Sequence, residues 1–311
     1  MLPFPLCQKR HNGKGNYMSS ESKRNGKGFL SGTLIGALGG LIGLGGAEFR
    51  LPILMGSFKM PTLEAVIFNK AMSLTVVAVA LIFRTKSIAV DQLFAHLDIV
   101  INLLAGSLIG AWWAAGRAIK MYRILLDRII LILLVILSFV MLSEAWMPLH
   151  DNSAGLFQPG VATIIAGVIA GFFIGNVASL LGVAGGELLI PTIVILFGAD
   201  IKLAGSLSLM ISLPTMIVGF SRYTNADAFQ ILRKEKKLFV WMVIGSVIGA
   251  AIGGLMLGMF PVRVLMTLLG AVLLISAIKT FKHTRQDNGR LRFGLFRITE
   301  KMISKRYQNE K

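Results

Sequence analysis

Cysteine is almost missing from this chain: of 311 residues only Cys7 carries a thiol, which excludes an intramolecular disulfide framework and a multi-cysteine metal site. Charge is scarce too, at 15% of residues, and acids are the scarcer sign, 15 Asp and Glu against 32 Lys and Arg. What fills the chain is apolar: 55% of residues are hydrophobic, 34 are glycine and the mean hydropathy is +0.73. A soluble domain of this length cannot hide so much apolar surface, so the composition is that of a membrane protein. The net charge of +17 does not indicate nucleic acid, because most of it sits at the ends. Residues 1–27 hold six Lys or Arg and one acid, and residues 282–311 hold nine and three. Basic tails flanking a nearly neutral apolar core follow the positive-inside rule, whereas a DNA-binding face needs a basic stripe on a folded surface.

A spanning helix needs about 20 mostly apolar residues. That ruler gives eight segments, near 28–58, 63–83, 96–118, 124–147, 161–197, 203–221, 238–259 and 263–281. The first begins after a basic tail and shows no small-residue cleavage pattern, so it reads as a retained span rather than a cleaved signal. The tail, 1–27, is expected to be disordered, and Met18 is as good a start as Met1. The first and fifth segments are too long for a simple crossing. Each has a glycine cluster at its middle, GGLIGLGGAEFRLP from Gly39 to Pro52 and ASLLGVAGGELLIP from Ala178 to Pro191.

Those strings are one motif used twice. A constant shift of 139 aligns Gly32 with Gly171, Gly36 with Gly175, Gly43 with Gly182, Gly46 with Gly185, Glu48 with Glu187 and Pro52 with Pro191. It continues without a gap through Ala65 and Ala204, Ser73 and Ser212, and the run at Gly106, Ser107, Ile109, Gly110 and Ala111. Residues 32–116 hold 11 glycines and residues 171–255 hold 12, and six coincide where chance would give about two. The chain is therefore an internal duplication, as many secondary transporters are. Repeat 1 covers 28–150 and repeat 2 covers 161–281, each of four segments, joined by 151–160 and followed by the basic tail 282–311.

Lys and Arg in the connections set the orientation. Residues 84–95 hold two, 117–128 four, 144–160 none and 222–237 five, which with the basic tails puts both termini in the cytoplasm. If each glycine-rich segment crosses once, the repeats are parallel. If each enters and turns back, they are inverted, the linker 151–160 is external, 117–128 is inside and 84–95 outside. The charge count favours the inverted form by only two residues, and both forms stay open.

The glycine clusters carry the functional reading. A helix break at membrane depth is tolerated only where the freed backbone lines protein or a water cavity. Half-helices starting after Gly46 and Gly185, with Gly45 and Gly186 beside them, would aim free N–H groups and positive dipole ends inward, which suits an anion. The alternative is that the glycines are only close-packing surfaces. Neither cluster has the GK[ST] ending of a P-loop, and no HExxH, paired-carboxylate or nucleophile-elbow pattern occurs, so no metal or cofactor is expected. His96, Asp98, His150 and Asp151 fall at segment ends, where polar residues are ordinary. Trp112, Trp113, Trp146 and Trp241 fit an interfacial belt.

The doubled pattern of spaced small residues, glycine cluster and Pro-hydrophobic resembles the TauE/SafE family of sulfite exporters, anion permeases of the toluene sulfonate uptake type. The matching positions are Gly43, Gly45, Gly46 and Pro52, then Gly182, Gly185, Gly186 and Pro191. The small-residue runs Ala65–Leu74 and Ala204–Leu213 extend the likeness over about residues 28–281. The resemblance implies an integral carrier for sulfite, a sulfonate or a related small anion, without an ATPase domain.

Glu48 and Glu187 depart from that pattern by following the clusters directly. An intramembrane carboxylate is costly and hence a functional candidate. Two ionised glutamates would repel an anion, so one reading has them take up and release protons, coupling transport to the proton gradient. The other has each cap the first turn of its half-helix, with Arg50 compensating Glu48. Arg50 and Lys70 are the deep cations of the first repeat, able to meet an anion or to pair with Glu48 or Glu64. Asn69 could donate to an oxyanion, with Ser208 aligned to it, while Ser73 and Ser212 suit interhelical hydrogen bonds. The expected molecule is an all-helical, multi-pass carrier of the inner cell membrane, made of two four-segment repeats around a central anion site and working by alternating access. Its expected partners are the small anion, the lipid bilayer and protons, with no nucleic acid. The rival readings are an intramembrane enzyme using Glu48 and Glu187 as acid and base, and a non-transporting scaffold whose tails do the work.

Overall fold

The computed structural model describes residues 12–42, 46–84, 95–146, 160–199 and 201–255, with isolated positions between 264 and 278. Helices are α1 Asn12–Ile42, α2 Ala47–Gly56, α3 Thr62–Arg84, α4 Leu97–Lys120, α5 Arg123–Trp146, α6 Val161–Leu181, α7 Gly186–Phe197, α8 Ile201–Tyr223, α9 Ile231–Lys234 and α10 Lys236–Leu255, with a 3-10 turn at Asp227–Gln230. No strand occurs among the described residues. Six of these helices, α3, α4, α5, α6, α8 and α10, are long and apolar enough to cross a membrane. The fold is thus the expected all-helical membrane architecture. Helix α1 starts at Asn12, so residues 12–27, expected to lack regular structure, form its N-terminal turns. The linker 151–160, apart from its last residue, and the tail 282–311, with His150, Asp151 and Cys7, lie outside the described residues.

Glycine rows set how the helices pack, because a residue without a side chain lets two backbones touch. On α1, Gly28, Gly32 and Gly36 lie against Leu238, Met242 and Ser246 of α10 in ascending order, so the two helices are parallel. On α6, Gly171 and Gly175 lie against Leu103 and Ser107 of α4, again in ascending order. The 139-residue shift converts one set into the other. Gly32 with Met242 corresponds to Gly171 with Leu103, and Gly36 with Ser246 to Gly175 with Ser107. The first helix of each repeat therefore packs on the third segment of the other repeat.

Further contacts fix the remaining directions. Ser107 meets Thr215 at 2.7 Å and Gly116 faces Arg222, so α8 runs parallel to α4. The start of α10 is level with the end of α8, since Phe239 stacks edge-on against Phe68 while Gly219 lies beside Lys70. Helices α1 and α10 thus point one way and α4, α6 and α8 the other. Because α1 and α6 are repeat equivalents pointing in opposite directions, the two repeats are inverted.

Each glycine-rich segment turns back on itself, which is how the inversion arises. Gly185 lies against Ile174 and Ala178, so α7 starts beside the latter half of α6 and runs back along it. In the first repeat, Ser57 and Lys59 after α2 line one pocket with Lys23 and Lys27 of α1, which returns α2 to the end where α1 began. The turns then gather the basic residues at one end of the bundle. Arg24 pairs with Glu235 at 2.8 Å, Thr62 donates to Asp127 of α5, and Arg222 stacks over Trp112. Lys59 after α2, Arg117 and Lys120 in the last turn of α4, and Arg233 and Lys234 of α9 lie at the same end.

Candidate functional site

Both expected breaks are present. Helix α1 ends at Ile42 and α2 starts at Ala47, while α6 ends at Leu181 and α7 starts at Gly186. Gly46 and Gly185, equivalent under the repeat, precede the half-helices with φ of 64° and 80°, and Gly182 ends α6 at 67°. This left-handed backbone is open to glycine at little cost and strained for other residues. Gly43 and Gly45 lie outside the described residues. The glycines divide their work: Gly32, Gly36, Gly171 and Gly175 are packing surfaces, and Gly46, Gly182 and Gly185 make the reversals. Helix breaks and close packing are thus both present, at different positions.

Asn69 of α3 joins the two breaks. Its Nδ2 donates to the Ala47 carbonyl at 3.0 Å and to the Leu181 carbonyl at 3.2 Å, across 22 and 112 residues of sequence. Ser73, one turn on, donates to the Gly182 carbonyl at 3.3 Å. One amide group thus satisfies the Leu181 carbonyl, freed where α6 stops, and adds a second bond to the Ala47 carbonyl at the start of α2. In this conformation the Asn69 amide group is engaged by these two carbonyls. Its aligned residue, Ser208, has a side chain too short to bridge and donates to the Gly205 carbonyl of its own helix at 2.9 Å.

Four buried ionisable side chains lie in and around these breaks. Glu48 and Glu187 occupy the first turns of α2 and α7, at 1% and 5% exposure, and Gly186 is buried beside Glu187. Glu48 Oε1 has no hydrogen-bond partner among the described residues, so that oxygen does not cap its helix. Arg50, fully buried two residues on in α2, is held in the field of Glu48. Pro52 and Pro191 are the sixth residues of α2 and α7, past the first turn, and each lacks the N–H that would bond the carbonyl four residues back, that of Glu48 or Glu187.

Lys70 has a different setting. It is fully buried, its Nζ lies 3.2 Å from Ser179 Oγ and 5.8 Å from the centre of the Tyr223 ring, and it reaches Gly219. The Tyr223 hydroxyl donates to the Ser179 carbonyl at 3.1 Å, which fixes the ring. Among the described residues no carboxylate lies within ion-pair distance of Lys70, so pairing with Glu48 or Glu64 is not what holds it. Ser179 and Tyr223 were not legible as site residues, because the repeat aligns them with Gly40 and Arg84 and gives no doubled signal. His96 and Asp98 stand at the N-terminal end of α4, the segment-end position expected of them.

The arrangement is a polar knot inside apolar helices: two reversed backbones clamped by one amide, two carboxyls at half-helix starts, and two buried cations. A lysine with only a hydroxyl and a ring beside it is electrostatically suited to an anion. No curated protein and no solved structure matches the chain. The family model for the sulfite exporter TauE/SafE matches it over residues 5–141 and 166–306, which takes in both repeats and nearly the whole length. This inverted-repeat membrane protein belongs to the TauE/SafE sulfite exporter family, a transporter family.

Proposed function

We propose that the chain is a secondary carrier for a small oxyanion, sulfite or a sulfonate, which it binds at the paired breaks and moves by alternating access. The observation that carries this reading is Lys70, a buried cation with a hydroxyl and an aromatic ring for company, next to two helix breaks tied together by Asn69. A carrier needs a group whose charge is completed only by its cargo, and Lys70 meets that need. Asn69 acts as a positioning residue that keeps Gly46 and Gly185 at one place. Gly186 borders the second turn, Gly45 precedes Gly46 in the sequence, and Ser208 stands where the second repeat would offer its own hydroxyl. Inverted repeats supply the two exchangeable arrangements that alternating access uses.

Charge balance supports proton coupling. The knot holds Glu48, Glu187, Arg50 and Lys70, two of each sign when all are ionised. A monoanion entering it adds one buried negative charge, and a proton on Glu48 or Glu187 removes it again at small electrostatic cost. The basic end of the bundle faces the cytoplasm in this reading, with both termini there and the protein in the inner cell membrane.

The test is flux in proteoliposomes holding the full chain, with labelled sulfite, alkyl and aryl sulfonates, and carboxylates offered from either side. Saturable movement of sulfite or a sulfonate, driven by an imposed pH difference, is the expected result. Glu48→Gln with Glu187→Gln should leave exchange without its pH dependence. Flux of none of these anions would remove the reading, and catalytic turnover of one in detergent, with no second compartment, would replace it with an enzyme.

A further inference from the structure

A pocket of about 610 Å³ opens at the basic end of the bundle, away from the helix breaks, between the N-terminal turns of α1 and the α2–α3 connection. Lys23, Arg24, Lys27 and Lys59 line it, with the Ser31 hydroxyl, and no acidic residue does. Arg24 is already paired with Glu235, which leaves three lysines converging without a counter-charge among the described residues. Lysines held together in this way repel one another, and an anion between them relieves the repulsion. Lys59 has left-handed backbone, φ 53°, in the turn that ends α2, where Ser57 and Phe58 donate to the Ile53 carbonyl and Met60 to that of Leu54.

The shape of the surroundings says which anion. Ile53 and Phe58 give the pocket an apolar wall. On α1, residues 23, 27, 30 and 34 share one helical face, so the lysine row continues directly into Leu30 and Leu34, 60% and 59% exposed. At 31 residues α1 is about 46 Å long, longer than a bilayer core is thick, and its apolar part begins only at Gly28. Lys23 and Lys27 therefore stand at headgroup level while Leu30 and Leu34 lie at the depth of the acyl chains. We propose that this pocket is a binding site for an anionic phospholipid, its phosphate held by Lys23, Lys27 and Lys59 and its chains laid along Leu30 and Leu34. Basic pockets between helices on the cytoplasmic side are where such headgroups are recognised. The chemistry recognised is a phosphate group, and it is the leucine row that points to a lipid rather than to free phosphate. Because α1 also carries the first glycine row and leads into the first break, a lipid seated here braces the helix from which the central site hangs.

The experiment uses full-length protein in mild detergent, with phosphatidylglycerol, phosphatidylcholine and inorganic phosphate as the probes, read by native mass spectrometry and by the midpoint of thermal unfolding. Phosphatidylglycerol should be retained and should raise the midpoint, phosphatidylcholine should do so weakly, and millimolar phosphate should not displace the lipid. Affinity for phosphatidylglycerol should fall about fivefold for each lysine lost in Lys23→Gln, Lys27→Gln and Lys59→Gln. The control replacements Lys120→Gln, Arg233→Gln and Lys234→Gln, at the same end of the bundle but outside the pocket, should leave it unchanged. If the triple variant does not purify, Lys27→Gln alone carries the test, with the single fivefold loss expected. Equal losses in pocket and control variants would reduce the site to general surface charge and overturn the proposal. Displacement of the lipid by free phosphate would assign the pocket to a soluble anion instead.

Discussion

Asn69 shows how a single side chain holds the architecture. Its amide group satisfies the Ala47 and Leu181 carbonyls where two helices from different repeats break. Replacing it by Leu removes both bonds and leaves the Leu181 carbonyl at the end of α6 unpaired, while Ala47 keeps its bond within α2, at a cost of about 1–3 kcal/mol. Thermal unfolding of Asn69→Leu in detergent should show a fall of that order, whereas Ser208→Ala, which loses only a bond within its own helix, should fall by less than about 1 kcal/mol. The difference between these aligned residues also marks how far the sequence can be read. The 139-residue shift places Asn69 opposite Ser208 and directs attention to both, but it carries no information on which carbonyls either one reaches. Lys70 was visible as a deep cation. Its partners were not, because Ser179 and Tyr223 lie 109 and 153 positions away and have no repeat counterparts of their own kind.

At the scale of elements, the glycine pattern was the most legible feature and also the most ambiguous. Spacing revealed the duplication and located the breaks. It could not say which glycines pack and which turn, because both roles select the same residue for different reasons. The contacts now separate them. A methyl on Gly36 would meet the Ser246 backbone carbonyl, and one on Gly175 the Ser107 carbonyl, neither of which can move without shifting a helix. A methyl on Gly28 would meet only the end of the Leu238 side chain. Gly36→Ala and Gly175→Ala should each destabilise by about 1–3 kcal/mol, and Gly28→Ala by clearly less, measured by heat denaturation followed on a sizing column. Gly46→Ala and Gly185→Ala act through the backbone instead, since φ of 64° and 80° strains an L residue by about 1–2 kcal/mol. Their equal cost in the two repeats would reflect the shared register.

For the whole molecule, charge counting in the connections left parallel and inverted repeats separated by two residues. Packing decides between them, because ascending contacts of α1 with α10 and of α6 with α4, together with the return of α2 and α7, allow only opposed repeats. Single cysteines in a Cys7→Ser background should therefore be labelled from one side at positions 57, 122 and 224, and from the other at 198. Position 57 labelled together with 198 would mean that α2 or α7 crosses. The first seven apolar segments read from the sequence hold as segments, with the first and fifth each folded into a hairpin rather than drawn out as a span, and the eighth, 263–281, lies largely outside the described residues.

The transport account rests on an anion pairing with Lys70 inside the polar knot, and Lys70 is where that claim is most exposed. A buried cation without an acid beside it costs stability, so Lys70→Met should leave the unfolding midpoint unchanged or raise it. The decisive measurement is the initial rate of labelled sulfite and sulfonate entry into proteoliposomes by the parent chain and by Lys70→Met at equal protein density. Saturable entry that drops at least about tenfold in the variant while its fold is kept is the predicted result. Entry at the same rate and with the same half-saturation in both proteins would contradict it.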